Sequence, residues 1–109
     1  MASYILSLEA AKSIAEIDSY TANQFGPKQA IRYLENLLEC LEFIAEDPQR
    51  GLHRPELNTH YYSYFAGSHS IYYRIVSEQI QVVDILHQSM EPNRHLDTCL
   101  LYTSDAADE

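Results

Sequence analysis

Two histidines and an arginine within one short stretch have the residue types of an acid–base site. The stretch GSHSIYYRIVSEQIQVVDILH, residues 67–87, carries His69 near its start, Arg74 in its middle and His87 at its close. Histidine titrates near neutral pH and can act as a general acid or base, and a neighbouring arginine can hold a phosphate. A strand-end histidine more often bonds a nearby backbone carbonyl, so residue type alone favours a structural role for His87. His69 follows a Gly-Ser turn and is predicted to pin the hairpin.

The other histidines and the cysteines lack the spacing of a metal site. His53, His60 and His95 do not form a pair at helical i, i+4 spacing. Cys40 and Cys99 show neither a metal-binding nor a redox spacing. We therefore assign no metal and no cofactor.

Length and composition predict one small acidic domain. The chain has 109 residues, 46% of them hydrophobic, and a formal net charge of −9 from 16 acidic and 7 basic residues. Nucleic-acid binding depends on Lys and Arg that neutralise phosphates, so direct nucleic-acid binding is not expected and a protein partner is. No run approaches the roughly 20 apolar residues of a membrane span, and the N-terminus lacks a signal-peptide pattern. We expect a cytoplasmic protein.

The few cations are expected mainly in loops. Arg50 and Arg54 flank His53 in a polar loop, and Arg94 follows the last predicted strand. Residues in loops on a rigid scaffold often bind partners, which makes these three arginines candidates for contacts with a target.

Hydrophobic periodicity predicts helices followed by strands. Ser7 is a helix N-cap candidate, and Gly26-Pro27 separates two apolar-striped helices that should form an antiparallel hairpin. A polar loop then leads into three strands with short connections, which predict an antiparallel meander. Segregated helices and strands indicate an α+β fold. The predicted elements are a strand at 3–7, helices from Ser7 to Phe25 and over 27–45, a loop at 49–60, and strands at 61–66, 70–76 and 79–86.

The last predicted strand is apolar at both parities. Ile80, Val82 and Leu86 share one parity, and Val83 and Ile85 share the other. A strand that is apolar on both faces is usually covered on both. Since the helix hairpin covers only one face, we expect the C-terminal segment or another protein to cover the second.

The central strand carries two adjacent tyrosines with different predicted roles. Tyr73 shares parity with Ile71 and Ile75 and is predicted to lie in the core. Tyr72 shares parity with Arg74 and is predicted to be exposed, as a surface residue that binds a partner.

Taken together, these segments resemble the ParE toxins of bacterial toxin–antitoxin systems, within the RelE/ParE superfamily. The resemblance spans about residues 3–96, and residues 97–109 do not continue it. The matching segments are YILSLEAAKSIAEIDSYTANQFG (4–26), QAIRYLENLLECLEFIAEDPQRG (29–51), YYSYFAGSHSIYYRI (61–75) and VVDILHQSMEPNRHL (82–96).

The resemblance implies an N-terminal helix hairpin packed on a small antiparallel β-sheet, as a single domain over 1–96 with an acidic tail at 97–109 outside the fold. It implies a toxin that poisons DNA gyrase, arrests growth and is neutralised in a hetero-oligomer by a ParD-like antitoxin, which wraps the toxin. The candidate contacts with target or antitoxin are Arg50, Arg54, Tyr72, Arg74, His87 and Arg94.

A ribosome-dependent mRNA endonuclease of the RelE type is the alternative. His87 falls at a position similar to the terminal acid/base of those toxins, and Arg74 at one similar to a phosphate-holding arginine. Such a site needs several cations on the scissile phosphate, and residues 29–109 contain no lysine. We therefore expect a non-catalytic toxin. A degenerate, non-toxic binder of antitoxins is a third hypothesis, because such toxins tend to be neutral or basic whereas this chain has a net charge of −9.

Overall fold

Two helices form the predicted N-terminal hairpin. In the computed structural model, which describes residues 3–92 and Leu96, α1 spans Leu8–Phe25 and α2 spans Pro27–Glu46. The Ser7 side chain caps α1, because its Oγ accepts a hydrogen bond from the Ala10 N–H at 2.9 Å. Gly26, at φ 96°, separates the helices in a conformation that other residues rarely adopt.

Five strands form one sheet in the order β1-β5-β4-β3-β2. The predicted meander of β3, β4 and β5 is confirmed, and the β4–β5 turn uses positive φ at Ser77 and Glu78. Two features differ from the prediction. β1 pairs parallel with β5, so the sheet is mixed, and β2 adds a short edge strand within the predicted loop, after a 3-10 helix. The strands are β1 Tyr4–Leu6, β2 Leu52–His53, β3 Tyr61–Ala66, β4 His69–Val76 and β5 Gln79–His87.

The parallel pairing of β1 follows from how the chain enters α1. The Ser7 N–H donates to the Val82 carbonyl at 3.0 Å, and Ser7 Oγ donates to the Val83 carbonyl at 2.6 Å. The residue that caps the helix thus also attaches the chain to β5, and the helix hairpin leads the chain from β1, at one edge of the sheet, to β2 at the other edge.

The main core lies between the helices and one face of the sheet. Tyr73 is fully buried in it, as predicted. Its buried members are Ala10, Ile17, Leu37, Leu41, Ile44, Ala45, Ala66, Ile71, Tyr73, Ile80, Val82 and Ile85. None of the helices in the described part of the chain is long and apolar enough to cross a membrane.

A smaller cluster covers the opposite face of the sheet, so β5 is buried on both faces as predicted. We call it the second-face cluster: Tyr61, Tyr72, Val83, Leu86 and Leu96, with Leu57 packed against it. Leu96 is 2% exposed, so a residue of the chain's own C-terminal segment contributes to this cover. Residues 97–109, the predicted tail, lie outside the described residues.

A β-bulge changes which face two residues of β5 occupy. Tyr72 pairs with Asp84 but Tyr73 pairs with Val82, so β5 has one extra residue at Val83. The predicted alternation was therefore wrong beyond this point. Ile85 joins the main core and Leu86 joins the second-face cluster, which is the reverse of the expectation.

Candidate functional site

His69 and His87 lie directly opposite each other where β4 begins and β5 ends. Their ring centroids are 5.3 Å apart, with the ring planes at 90°. His69 is half-buried and His87 is exposed. Burial and the neighbouring His87 lower the pKa of His69, which favours its neutral imidazole near pH 7.

The His69 ring is held by Tyr33 of α2, which sequence reasoning did not single out. Tyr33 Oη lies 2.6 Å from His69 Nδ1, accepts from the Ser68 N–H at 3.0 Å and donates to the Ala66 carbonyl at 3.2 Å. This network fixes the β3–β4 turn to α2, in accord with the prediction that His69 pins the hairpin. In the sequence, only a tyrosine on the face of α2 towards the β3–β4 turn could have indicated this contact.

His87 bonds a serine and not the backbone carbonyl that its residue type suggests. The Ser89 N–H donates to His87 Nδ1 at 3.1 Å, and Ser89 Oγ lies 2.8 Å from the same nitrogen. The Nε2 side of the ring has no hydrogen bond to any described residue. His87 therefore combines a fixed ring with an accessible nitrogen.

The two histidines border a groove between α1 and the ends of β4 and β5. Two adjoining cavities, of about 420 and 330 Å³, make up this groove, and Tyr20, His69 and His87 line both. The walls are mainly apolar and aromatic, and within the described residues no Lys or Arg lines either cavity. The other lining residues are Ser13, Glu16, Ile17, Ile85, Leu86 and Met90 in the larger cavity, and Thr21, Phe25, Gln29, Tyr33 and Ser68 in the smaller.

Arg74 does not join His87 in a common site. Arg74 pairs with Gln81 across β4–β5, and its Nε donates to Gln81 Oε1 at 2.7 Å. His87 pairs with His69, five residues from Arg74 along β4. At 3.3–3.4 Å per residue, this is a backbone separation of about 17 Å. One small substrate cannot contact both side chains in this arrangement.

The loop arginines are tied to neighbouring groups. The Arg50 guanidinium lies 3.9 Å from the centroid of the Phe43 ring and donates to the Phe43 carbonyl at 2.6 Å. Arg54 pairs with Glu56 at 2.6 Å, a hydrogen bond that raises the pKa of Arg54 and lowers that of Glu56. Arg50 and Arg54 therefore do not point at the histidine groove. Arg94 lies outside the described residues.

The prediction that Tyr72 is exposed was wrong. Its side chain is only 5% exposed in the second-face cluster, and the Arg54 guanidinium lies 5.9 Å from its ring centroid. The alternation correctly placed Tyr72 on the face away from the helices, but it could not show that Leu96 packs on that face. No group of three or more His, Cys, Asp or Glu side chains suited to a metal ion occurs within residues 3–92 and Leu96.

Most of the chain is similar to proteins of a known family. The model of a family described as "ParE toxin of type II toxin-antitoxin system, parDE" matches residues 4–92. Toxin ParE1 of Caulobacter vibrioides is 34% identical over 96 residues, covering 88% of this chain and 99% of that protein. Toxin ParE1 of Mycobacterium tuberculosis is 36% identical over 94 residues, covering 85% of this chain and 96% of that protein.

Solved structures share the fold at lower identity. A chain from a structure titled as the chromosomal ParDE system of P. aeruginosa superposes with a TM-score of 0.69 at 19% identity, covering 80% of this chain and 96% of that one. A chain from the RelBE2 toxin–antitoxin complex of Mycobacterium tuberculosis gives 0.58 at 15% identity, covering 82% and 93%. These likenesses establish the α+β fold that was predicted.

Proposed function

Because this chain belongs to the ParE toxin family of type II toxin–antitoxin systems, we propose that it arrests growth by inhibiting DNA gyrase. We propose further that it performs no chemistry of its own and that a ParD-like antitoxin neutralises it in a hetero-oligomer. Both partners belong to the cytoplasm, which is the proposed location of the toxin.

The separation of Arg74 from His87 is the observation that carries the non-catalytic part of the proposal. Cleavage of a phosphodiester requires cations around the phosphate where charge develops, together with a positioned acid or base. The accessible histidine borders a groove without a Lys or Arg among its described lining residues, and Arg74 is engaged by Gln81. Because Arg74 and His87 lie apart in this toxin fold, the arrangement supports binding rather than catalysis.

The histidine groove is the surface that we propose for the antitoxin. Tyr20 and Phe25 are 62% and 68% exposed beside it, and such exposed apolar side chains often mark a protein interface. Both helices of the hairpin contribute, with Tyr20 and Phe25 on α1 and Tyr33 on α2. One of the solved relatives is titled as a ParDE system, which supports an antitoxin as the occupant.

A supercoiling assay tests the gyrase proposal. Purified protein at micromolar concentration is expected to inhibit supercoiling by gyrase or to trap cleaved DNA, and a ParD-like antitoxin added first should abolish the effect. An established gyrase poison provides the positive control. Full supercoiling activity beside a working control would refute the target.

The endonuclease alternative is favoured by one observation, the exposed and fixed His87 ring. It predicts mRNA cleavage in a translation extract that is lost in both His87→Ala and Arg74→Ala, while Arg32→Ala, a change on α2, serves as control. Cleavage that persists in the first two variants would exclude this mechanism. A non-toxic homologue would instead permit growth after induction.

A further inference from the structure

The His69–His87 pair has the arrangement of a two-histidine metal site. Side chains directly opposite each other in an antiparallel pair have Cβ atoms about 4.5–5.5 Å apart. Both rings line both cavities of the groove, so they are reachable from the same solvent-filled space. The pair is formed by the register of β4 and β5 and does not depend on a loop.

Each ring is already held through Nδ1 by a neighbouring group, which leaves Nε2 as the nitrogen that faces solvent. A metal-binding histidine bonds a second group through one ring nitrogen and the metal through the other. His69 Nδ1 lies 2.6 Å from Tyr33 Oη, and His87 Nδ1 lies 2.8 Å from Ser89 Oγ. Within the described residues, neither Nε2 has a hydrogen-bond partner.

The ring separation fits one shared ion. With Zn–N bonds of about 2.0–2.1 Å and tetrahedral angles, two imidazoles bound through Nε2 have centroids about 5.2 Å apart. The observed separation is 5.3 Å. Imidazole nitrogen suits Zn²⁺, Ni²⁺ and Cu²⁺, whereas Mg²⁺ and Ca²⁺ prefer oxygen.

We propose that the Nε2 atoms of His69 and His87 together bind one divalent transition-metal ion of the Zn²⁺ or Ni²⁺ type at this edge of the groove. No third protein ligand is assembled within the described residues, so water completes the coordination. Structural zinc sites have four protein ligands, and this site is therefore an exchangeable one.

The hydrogen bonds of the two rings indicate which nitrogen carries the proton in each. A metal binds the unprotonated nitrogen of a neutral imidazole. Because the Tyr33 hydroxyl donates to the Ala66 carbonyl, its contact with His69 Nδ1 places the proton of that ring on Nδ1 and leaves Nε2 open to the ion. The Ser89 N–H donates to His87 Nδ1, which places the proton of that ring on Nε2. Binding at Nε2 requires the other tautomer, with the proton on Nδ1, where Ser89 Oγ accepts it in place of the hydrogen bond from the Ser89 N–H.

Titration of the untagged full-length chain with Zn²⁺ tests the site. Calorimetry in a Cys40→Ser/Cys99→Ser background, which removes thiolate ligands, should show one ion per chain at pH 7.5. His87→Ala should weaken binding at least tenfold, and this variant is expected to fold because His87 is exposed. His60→Ala changes another exposed histidine and should bind like the parent.

Two further measurements keep the test decisive. His69→Gln should also weaken binding at least tenfold, with far-UV circular dichroism confirming its fold, and Zn²⁺ should raise the Tm of the parent but not of His87→Ala. No binding by the parent at 1 mM Zn²⁺ would overturn the proposal, as would equal affinity in the parent and His87→Ala. Neither outcome bears on gyrase inhibition, which is measured without added Zn²⁺.

Discussion

Replacing Gly51 by alanine should destabilise the fold through a single contact with Tyr73. Gly51 has φ −77°, a conformation open to any residue, so backbone strain is not the reason. A Cβ built on Gly51 would overlap Tyr73 Oη, lie 2.8 Å from its Cζ and come within 3.0 Å of the Ser63 carbonyl. Tyr73 is fully buried and its hydroxyl donates to the Pro48 carbonyl at 2.6 Å, so the ring has little freedom to withdraw.

The size of the destabilisation by Gly51→Ala follows from two effects of the added methyl group. Overpacking a well-filled core costs about 1–3 kcal/mol, and displacing the Tyr73 hydroxyl from Pro48 costs about 0.5–1.5 kcal/mol more. Burial raises the pKa of Tyr73 to about 12, so this hydroxyl remains a donor throughout the neutral range. Gly51→Ala should therefore lower the free energy of unfolding by about 2–4 kcal/mol.

A double-mutant cycle separates this contact from general damage. Tyr73→Phe removes the overlapping oxygen and, alone, should cost about 0.5–1.5 kcal/mol for the lost hydrogen bond. In the Gly51→Ala background the same change relieves part of the overlap, so the double variant should be more stable than the sum of the single effects predicts, by at least about 1 kcal/mol. Urea denaturation with an unchanged m-value measures all four proteins.

Gly26→Ala is the matched control for this cycle. Gly26 has φ 96° and nothing within 4 Å of a built Cβ, so alanine there is opposed by backbone strain alone, about 1–3 kcal/mol. The loss in the free energy of unfolding caused by Gly26→Ala should add to that caused by Tyr73→Phe. If Gly51→Ala and Tyr73→Phe are also additive to within about 0.5 kcal/mol, the explanation through the Tyr73 contact is refuted.

Three further predictions concern β5 and the residues that pair with it or pack against it. Lowering the pH from 7 to 5 should reduce the free energy of unfolding, because the unfolded chain binds a proton at His69 near its ordinary pKa of 6.5 while the folded chain does so only at lower pH. His69→Gln should flatten this pH dependence in urea titrations. An unchanged slope in that variant would contradict the role of His69. Leu96→Ala should cost about 2–5 kcal/mol in urea unfolding, as expected for a buried leucine. No loss of stability would mean that Leu96 does not cover the second face. Ser13→Ala removes a 2.6 Å hydrogen bond to the buried Asp84 carboxylate and should lower Tm by an amount equivalent to about 1.5–3 kcal/mol, whereas a Tm equal to the parent's would show that water replaces it.

Local chemistry determined the helices and the meander. Ser7 caps α1 and Gly26 separates the helices because capping and positive φ depend on residue type. Alternation put Tyr73 in the core because the side chains of a regular strand alternate between faces. The same reasoning showed that β5 needs cover on both faces, although it could not show that Leu96 contributes to it.

Tertiary contacts decided the rest, because they depend on register and on distant segments. The bulge at Val83 exchanged the faces of Ile85 and Leu86, since one extra residue shifts every later side chain. Register also paired His69 with His87 and left Arg74 about 17 Å away along β4. The sequence by itself thus determined which residues could do chemistry, and the strand pairing decided that the histidines meet and the arginine does not.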